Sequence, residues 1–445
     1  MRIAWFTPYS RKSAIARFSA AVARELAQEV TVDLWHPRAD DALLTELRSV
    51  AFRDASEVDG HELAAYDLLV YNLGNHLPFH REIYEVSRRF PGLCVMHDFV
   101  MHHFFAAYYL EFLRWPQGYV ALMKRFAGEH GAAVAGDVLA GRRPPVWETD
   151  EVIRYPLFEA GIRGAYGVVT HSEFFRRQVE AVSPAPVARL NLAYELRPLN
   201  SVLSRQDLEI PDSKLLAVTI GHVNPNKRVS SVLRALAANR DLLERIVYVV
   251  AGPCEPGCMT ELKGIVLQHG MEGAVRLMGY VEDGPLQAYL RHADLCINLR
   301  FPAIEGASAS LIEEMLYGKA VIVTDTGFYS ELPDDCVMKI RPEHEQEDLT
   351  LALRRLVTDA GLREAKGSRA REFAEKHFRV DRYAKDFLKF AWKVRSAKPL
   401  LKLADRVAGE LKCMGVTADM QIIDTVSREC EQLFCFGPKP ATGED

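Results

Sequence analysis

The chain has 445 residues, room for two or three domains of ordinary size with substantial cores. Apolar residues make up 49% and charged residues 26%, the balance of a soluble globular protein, and a net charge of −5 leaves no basic excess for general nucleic-acid binding. No apolar run reaches the roughly 18 residues of a membrane span and residues 1–6 read as a strand rather than a signal peptide, so a cytoplasmic protein, at most peripheral at the inner membrane face, is expected.

Residues 2–7 form a strand ending at Pro8. Then come Ser10-Arg11-Lys12-Ser13-Ala14, a helix over 15–28 and a strand over 30–35, the opening of a βαβ unit. Residues 67–72 (DLLVYN) are a buried-type strand running into Leu73-Gly74-Asn75-His76, and residues 93–96 are the next, ending in His97-Asp98. Ligands bind at the carboxyl ends of strands in open α/β sheets, which makes Gly74, Asn75, His76, His97 and Asp98 cleft candidates. The plain alternative for His97 is a histidine satisfied by Asp98 in an interdomain floor. His102-His103 lead an aromatic cluster (Phe104, Phe105, Tyr108, Tyr109, Phe112, Trp115) that either packs on an acceptor or belongs to the core. Residues 117–156 run from helix into a loop rich in Gly, Arg and Pro, an insertion where acceptor selectivity would be built. A strand over 167–170 ends in His171-Ser172-Glu173, with Ser172 as a helix N-cap and His171 as a further cleft candidate. Pro184, Pro186, Pro198 and Pro211 mark a linker near 191–200.

A second series opens with a strand over 215–220, the turn Gly221-His222-Val223-Asn224-Pro225-Asn226-Lys227-Arg228 and a helix from Ser230. The strand over 246–251 ends in Gly252, that over 275–279 precedes Tyr280-Val281-Glu282, and a helix over 286–292 leads to a strand over 295–299. The stretch LRFPAIEGASASLIEEMLYGKAVIVTDTGFYSELP (299–333) follows. Leu311, Ile312, Met315 and Leu316 give a helical period, Gly318 a helix stop, and residues 320–323 a strand buried on both faces. Gly306, Ala307, Ser308, Ala309 and Ser310 give the helix a start without bulky side chains, whose free amides and dipole suit a phosphate. Glu305 and Glu313 flank that start; a capped amphipathic helix with a solvated glutamate is the other reading.

Glu305-Gly306, the small residues, Glu313, Gly318-Lys319 and Thr326-Gly327, at this spacing, resemble the donor-binding signature of retaining glycosyltransferases of GT-B fold, the large "group 1" family. The resemblance covers residues 1 to about 395. It implies an α/β chain of two doubly wound, Rossmann-like domains facing across a cleft. Residues 1–195 would be the acceptor-side domain, 196–375 the nucleotide-sugar domain, 376–398 a helix crossing back, and 399–445 a helical appendage. By the same resemblance Glu305 lies by the donor sugar, Glu313 holds the ribose, and Lys227 with the amides of 306–310 takes the diphosphate. Val281, with Gly252, lines the nucleobase through the backbone, and His97, beside Asp98, contacts the sugar. His222 stands where many members carry arginine, so Arg228 is expected to share the phosphate contact; Ala14 stands where the first loop usually has glycine. The implied reaction is retaining, metal-independent transfer from a UDP- or GDP-linked sugar, a co-substrate rather than a cofactor, to a glycan, lipid-linked or small-molecule acceptor. A sugar-nucleotide epimerase using His97, Asp98 and His171, a phosphorylase-like enzyme and a non-catalytic scaffold subunit are the alternatives.

Residues 361–394 read as a long helical run with Tyr383, Phe387, Phe390 and Trp392 on one face. A basic stripe (Arg382, Lys385, Lys389, Lys393, Lys398, Lys402) suits an anionic membrane or a solvated face. Residues 399–435 read as a helix pair split at Gly415-Val416-Thr417, an oligomerisation or docking appendage, and residues from 437 as a disordered tail. Eight cysteines lie at 94, 254, 258, 296, 336, 413, 430 and 435. No two close pairs stand at zinc-ribbon spacing, so reduced thiols and no metal site are expected.

Overall fold

A computed structural model describes residues 1–37, 47, 50–196, 203–417 and 420–426. Two parallel sheets dominate it. The first contains β1 (Arg2–Phe6), β2 (Thr31–His36), β3 (Val50–Asp54), β4 (Leu68–Leu73), β5 (Leu93–Met96), β6 (Gly167–Thr170) and β7 (Val187–Arg189) in the order β3-β2-β1-β4-β5-β6-β7. The second contains β8 (Leu215–Ile220), β9 (Ile246–Ala251), β10 (Val275–Gly279), β11 (Leu295–Asn298), β12 (Ala320–Thr324) and β13 (Val337–Ile340) in the order β10-β9-β8-β11-β12-β13. Both are doubly wound, with helices on both faces, so the central strands are mostly apolar; β4 and β9 are buried at every position. Strand β1 pairs with β2 on one side and β4 on the other, and β8 with β9 and β11; that reversal opens the crevice at the strand ends.

The chain returns to the first domain at its C-terminal end. Helix Ala360–His377 packs on the second sheet, and helix Val380–Cys413 lies along helix Ala14–Leu26. Phe387 meets Trp5 edge-on with ring centroids 5.2 Å apart, and Tyr383 meets Phe18 at 5.1 Å. The run expected over 361–394 is therefore two helices, broken at Phe378–Arg379, where Tyr194 of the interdomain connection donates its N–H to the Phe378 carbonyl at 2.9 Å. Nor does a new helix begin at 399: Val380–Cys413 runs through Pro399 unbroken. Gly415 adopts φ +76°, ending that helix as expected, and residues 422–426 are helical. Residues 197–200 of the expected linker, 427–435 of the second appendage helix, and the tail from 437 fall outside the described residues.

The domains touch across the cleft floor. Val100 N–H donates to Ile304 O at 2.9 Å and Gly306 N–H to His97 O at 2.8 Å, with Asp98 and Glu305 paired as an antiparallel bridge. Nearby, the Glu331 carboxylate accepts the Glu173 and Phe174 amides at 2.9 and 2.7 Å, so an acid of the second domain caps a helix (Glu173–Glu180) of the first.

Candidate active site

The site is built on the second sheet's strand ends. Helix Ala309–Leu316 starts at Ser308, an N-cap whose Oγ accepts the Leu311 N–H at 3.3 Å, and ends at Gly318 with φ +69°. That cap leaves the amides of Ala309 and Ser310 as the unpaired donors of a first turn. Gly306 has a steric reason: a Cβ there would lie 3.0 Å from the His97 carbonyl oxygen.

Lys227 ends the short turn Pro225–Lys227, is 4% exposed, and donates through Nζ to the Ile220 carbonyl. Gly221, at φ +89°, stands between this ammonium and the helix start. A Cβ on it would be 3.1 Å from Lys227 Nζ and 3.7 Å from Ser310 Cβ. Gly252 lies directly beneath, where a Cβ would fall 1.9 Å from Gly221 O, so two strand-end loops are in backbone contact. Burial, and then repulsion from Arg300, push the Lys227 pKa well below that of a free lysine.

Arg228 is not turned to that seat. Its Nε and Nη2 bind the Glu345 carboxylate at 2.8 and 3.0 Å, a bidentate pair that holds its charge on the far side of the turn. The guanidinium expected to share the phosphate contact is thus engaged by Glu345. His222 is exposed at the cleft lip, its pKa lowered chiefly by desolvation, and it lies near enough to His76 of the first domain, also exposed, to lower the pKa of that ring, which desolvation lowers too. Val281 is half-buried against the core, while Tyr280 beside it is exposed.

Glu305 is fixed from below. Its Oε1 lies 2.8 Å from Arg300 Nε and accepts the Tyr329 hydroxyl. Glu313 is 5% exposed, and its neighbour Glu314 is fully buried, taking Asn298 Nδ2 at 2.9 Å. Burial lifts the Glu314 pKa to about 8. Arg300, Tyr329, Asn298 and Glu314 escaped the sequence reading. The Glu313-Glu314 doublet and an arginine at the end of an apolar strand were the available signals.

Across the floor, His97 is 7% exposed and does not pair with Asp98. Its Nε2 lies 3.0 Å from Asn72 Oδ1, and because Asn72 Nδ2 is spent on Phe6 O, that ring nitrogen carries the proton and donates. Burial holds the ring neutral, its pKa well below the usual range. Asp98 accepts the Asn75 N–H at 2.7 Å, and burial with Glu305 nearby lifts its pKa to about 7. His171 does not face the cleft: its ring packs 4.9 Å from that of His97, and Nδ1 bonds Leu190 O. His102 is a core residue between Tyr155 O and the Tyr119 hydroxyl, and Phe104 and Phe105 are fully buried, so this part of the aromatic cluster is core. Among the described residues no group of three or more His, Cys, Asp or Glu has metal-ligand geometry.

Two doubly wound domains, a strand-end cleft and a helix returning to the first domain define a GT-B protein. Solved structures agree on the fold: sucrose-phosphate synthase from Thermosynechococcus elongatus superposes with TM-score 0.62 at 15% identity, over 89% of this chain and 100% of that one. The Anabaena protein HepE, solved with UDP-glucose, gives 0.60 at 16% identity over 88% and 100%. The model of the family Glycosyl transferases group 1 matches residues 202–373, which lie in the second domain. A curated relative, D-inositol 3-phosphate glycosyltransferase of Salinispora tropica, is 26% identical over 257 residues. That match covers 56% of this chain and 52%, about half, of the relative.

Proposed function

We propose that the protein is a retaining glycosyltransferase that moves a sugar from a nucleoside diphosphate to a glycan, lipid-linked or small-molecule acceptor. One observation carries this reading: Lys227 Nζ and the start of helix Ala309–Leu316 flank the same glycine, Gly221, so an ammonium and the first-turn amides of a helix are brought together at a residue without a side chain. The HepE complex with UDP-glucose, a protein of the same fold, favours a UDP-linked donor.

On this reading the diphosphate sits over Gly221, and Lys227 with the Ala309 and Ser310 amides stabilises the charge that grows on it as the glycosidic bond breaks. That charge is supplied by the chain itself, so the transfer is metal-independent. Glu313, about one turn into the helix, meets the ribose hydroxyls. Glu305, held by Arg300 and Tyr329, and the amides that follow it orient the sugar, with His97 opposite. The acceptor hydroxyl attacks from the leaving-group face and gives its proton to the departing phosphate. The interdomain hydrogen bonds at His97–Gly306 and Val100–Ile304 close the floor and keep water from competing. The site prediction is tested by thermal shift with UDP, GDP and inorganic pyrophosphate. Glu313→Gln should weaken stabilisation by the nucleotide and leave that by pyrophosphate intact. Equal loss of both would remove Glu313 from the ribose.

A further inference from the structure

Helix Val380–Cys413 buries only one face. Tyr383, Phe387, Phe390 and Val394 pack on the first domain, and the last buried residue is Val394, with 19 residues of the helix still to come. The opposite face forms one stripe at steps of three and four residues: Lys385, Lys389 and Lys393, then Ser396, then Leu400, Leu403, Val407 and Leu411. The lysines and Leu400 are exposed, and Leu403, Val407 and Leu411 are partly so; none of these apolar side chains belongs to a buried core cluster. Trp392, 47% exposed, stands beside the junction of the two halves. No acid occupies a stripe position; Asp386 pairs from the side with Lys389 at 3.0 Å, and Glu410 lies at the edge.

We propose that this stripe docks the protein on an anionic bilayer surface, with the lysines at the headgroups and the leucines at the acyl boundary. A row of cations continuing into a row of leucines through an interfacial tryptophan complements such a surface, which is negative outside and apolar a few ångströms in. No described helix is long and apolar enough to cross the membrane, so the contact is made by lying on it.

Co-sedimentation of the full chain with vesicles tests this. The protein should bind mixed phosphatidylglycerol/phosphatidylcholine vesicles and not pure phosphatidylcholine. Lys385→Glu, Lys389→Glu and Lys393→Glu together should weaken binding by roughly a hundredfold or more, at about a fivefold loss for each charge removed. Leu403→Glu with Val407→Glu should abolish the binding that survives high salt. Nucleotide-induced thermal shifts should be unchanged in both variants, which shows that the fold is intact and keeps this test separate from that of the donor site. Equal binding to neutral vesicles, or to none, would overturn the proposal. So would a dimer that Leu403→Glu/Val407→Glu splits without affecting lipid binding, since a second copy then covers the stripe. Lipid binding gained only when residues beyond 417 are removed would show the chain's own end seated there, and would overturn it equally.

Discussion

Replacing Lys227 with methionine removes a charge and keeps most of the stem. Two effects of opposite kind follow from the geometry. With nucleoside diphosphate bound, the ammonium makes a charged hydrogen bond in a site of low water content, a contribution of about 1.5–3 kcal/mol, or roughly 10- to 150-fold in Kd. Without ligand, the same group is 4% exposed and its pKa is pushed down by burial and by Arg300, so its charge is a cost to the fold. The loss on substitution is the bond to Ile220 O, about 1 kcal/mol. Glu314 nearby, with a pKa of about 8, is mostly protonated at neutral pH and is not stranded as an unpaired charge. Lys227→Met should therefore weaken UDP binding in calorimetric titration by one to two orders of magnitude while moving the Tm by only about 2–4 °C in either direction. A fall in Tm of ten degrees or more with Kd unchanged would make Lys227 a structural strut and refute the phosphate assignment.

Three further outcomes are expected. The pKa of Asp98 is raised to about 7, so the stability it lends is complete below about pH 4 and is lost as pH rises through about 7; the stability gap between wild type and Asp98→Asn in urea should shrink across that window. A gap constant with pH would mean that Asp98 ionises as it does in water. Four histidines of the first domain are held neutral by burial: His80 at about 3, His102 and His171 at about 4, and His97 well below 6.5. Depressed values lend stability above about pH 6.5 that is lost as pH falls towards 4, so proteolysis in mild acid should cut the first domain before the second. Gly167→Ala should destabilise by about 1–3 kcal/mol, because its Cβ falls 2.4 Å from Val394 Cγ2 of the returning helix, and adding Val394→Ala should recover part of that loss in chemical denaturation.

The sequence yields the central strands because burial on both faces writes them as continuous apolar runs, as in IVYVVA of β9. The edges are not written that way: β3 (VAFRD) is mostly exposed, β7 is three residues long, and β13 carries a lysine, so none is told from loop by pattern. Pro399 reads as a boundary because proline lacks the N–H that would bond the carbonyl four residues back, yet on an exposed turn water satisfies that carbonyl and the helix continues. The break at Phe378–Arg379 contains neither glycine nor proline, and only tertiary bonding to the interdomain connection explains it.

In the site, legibility follows sequence distance. Lys227, Glu305, Glu313 and the small residues between the glutamates stand at local spacings that a strand-turn-helix imposes. The clamp on Glu305 does not, because Arg300 and Tyr329 meet only when β11 pairs with β12, and Asn72 reaches His97 only through the pairing of β4 with β5. Arg228 shows the converse: a cation in the right place along the chain is withdrawn by Glu345, 117 residues away. With histidine at position 222 and Arg228 withdrawn, the proposed diphosphate rests on Lys227 and the main-chain amides of a single helix start. A grip composed that way is insensitive to most side-chain substitutions and sensitive to the backbone path. Gly221 and Gly252 are therefore the positions where adding one methyl group costs the most. At Gly252 the methyl would fall 1.9 Å from the Gly221 carbonyl oxygen and force apart the two loops on which the phosphate seat is built.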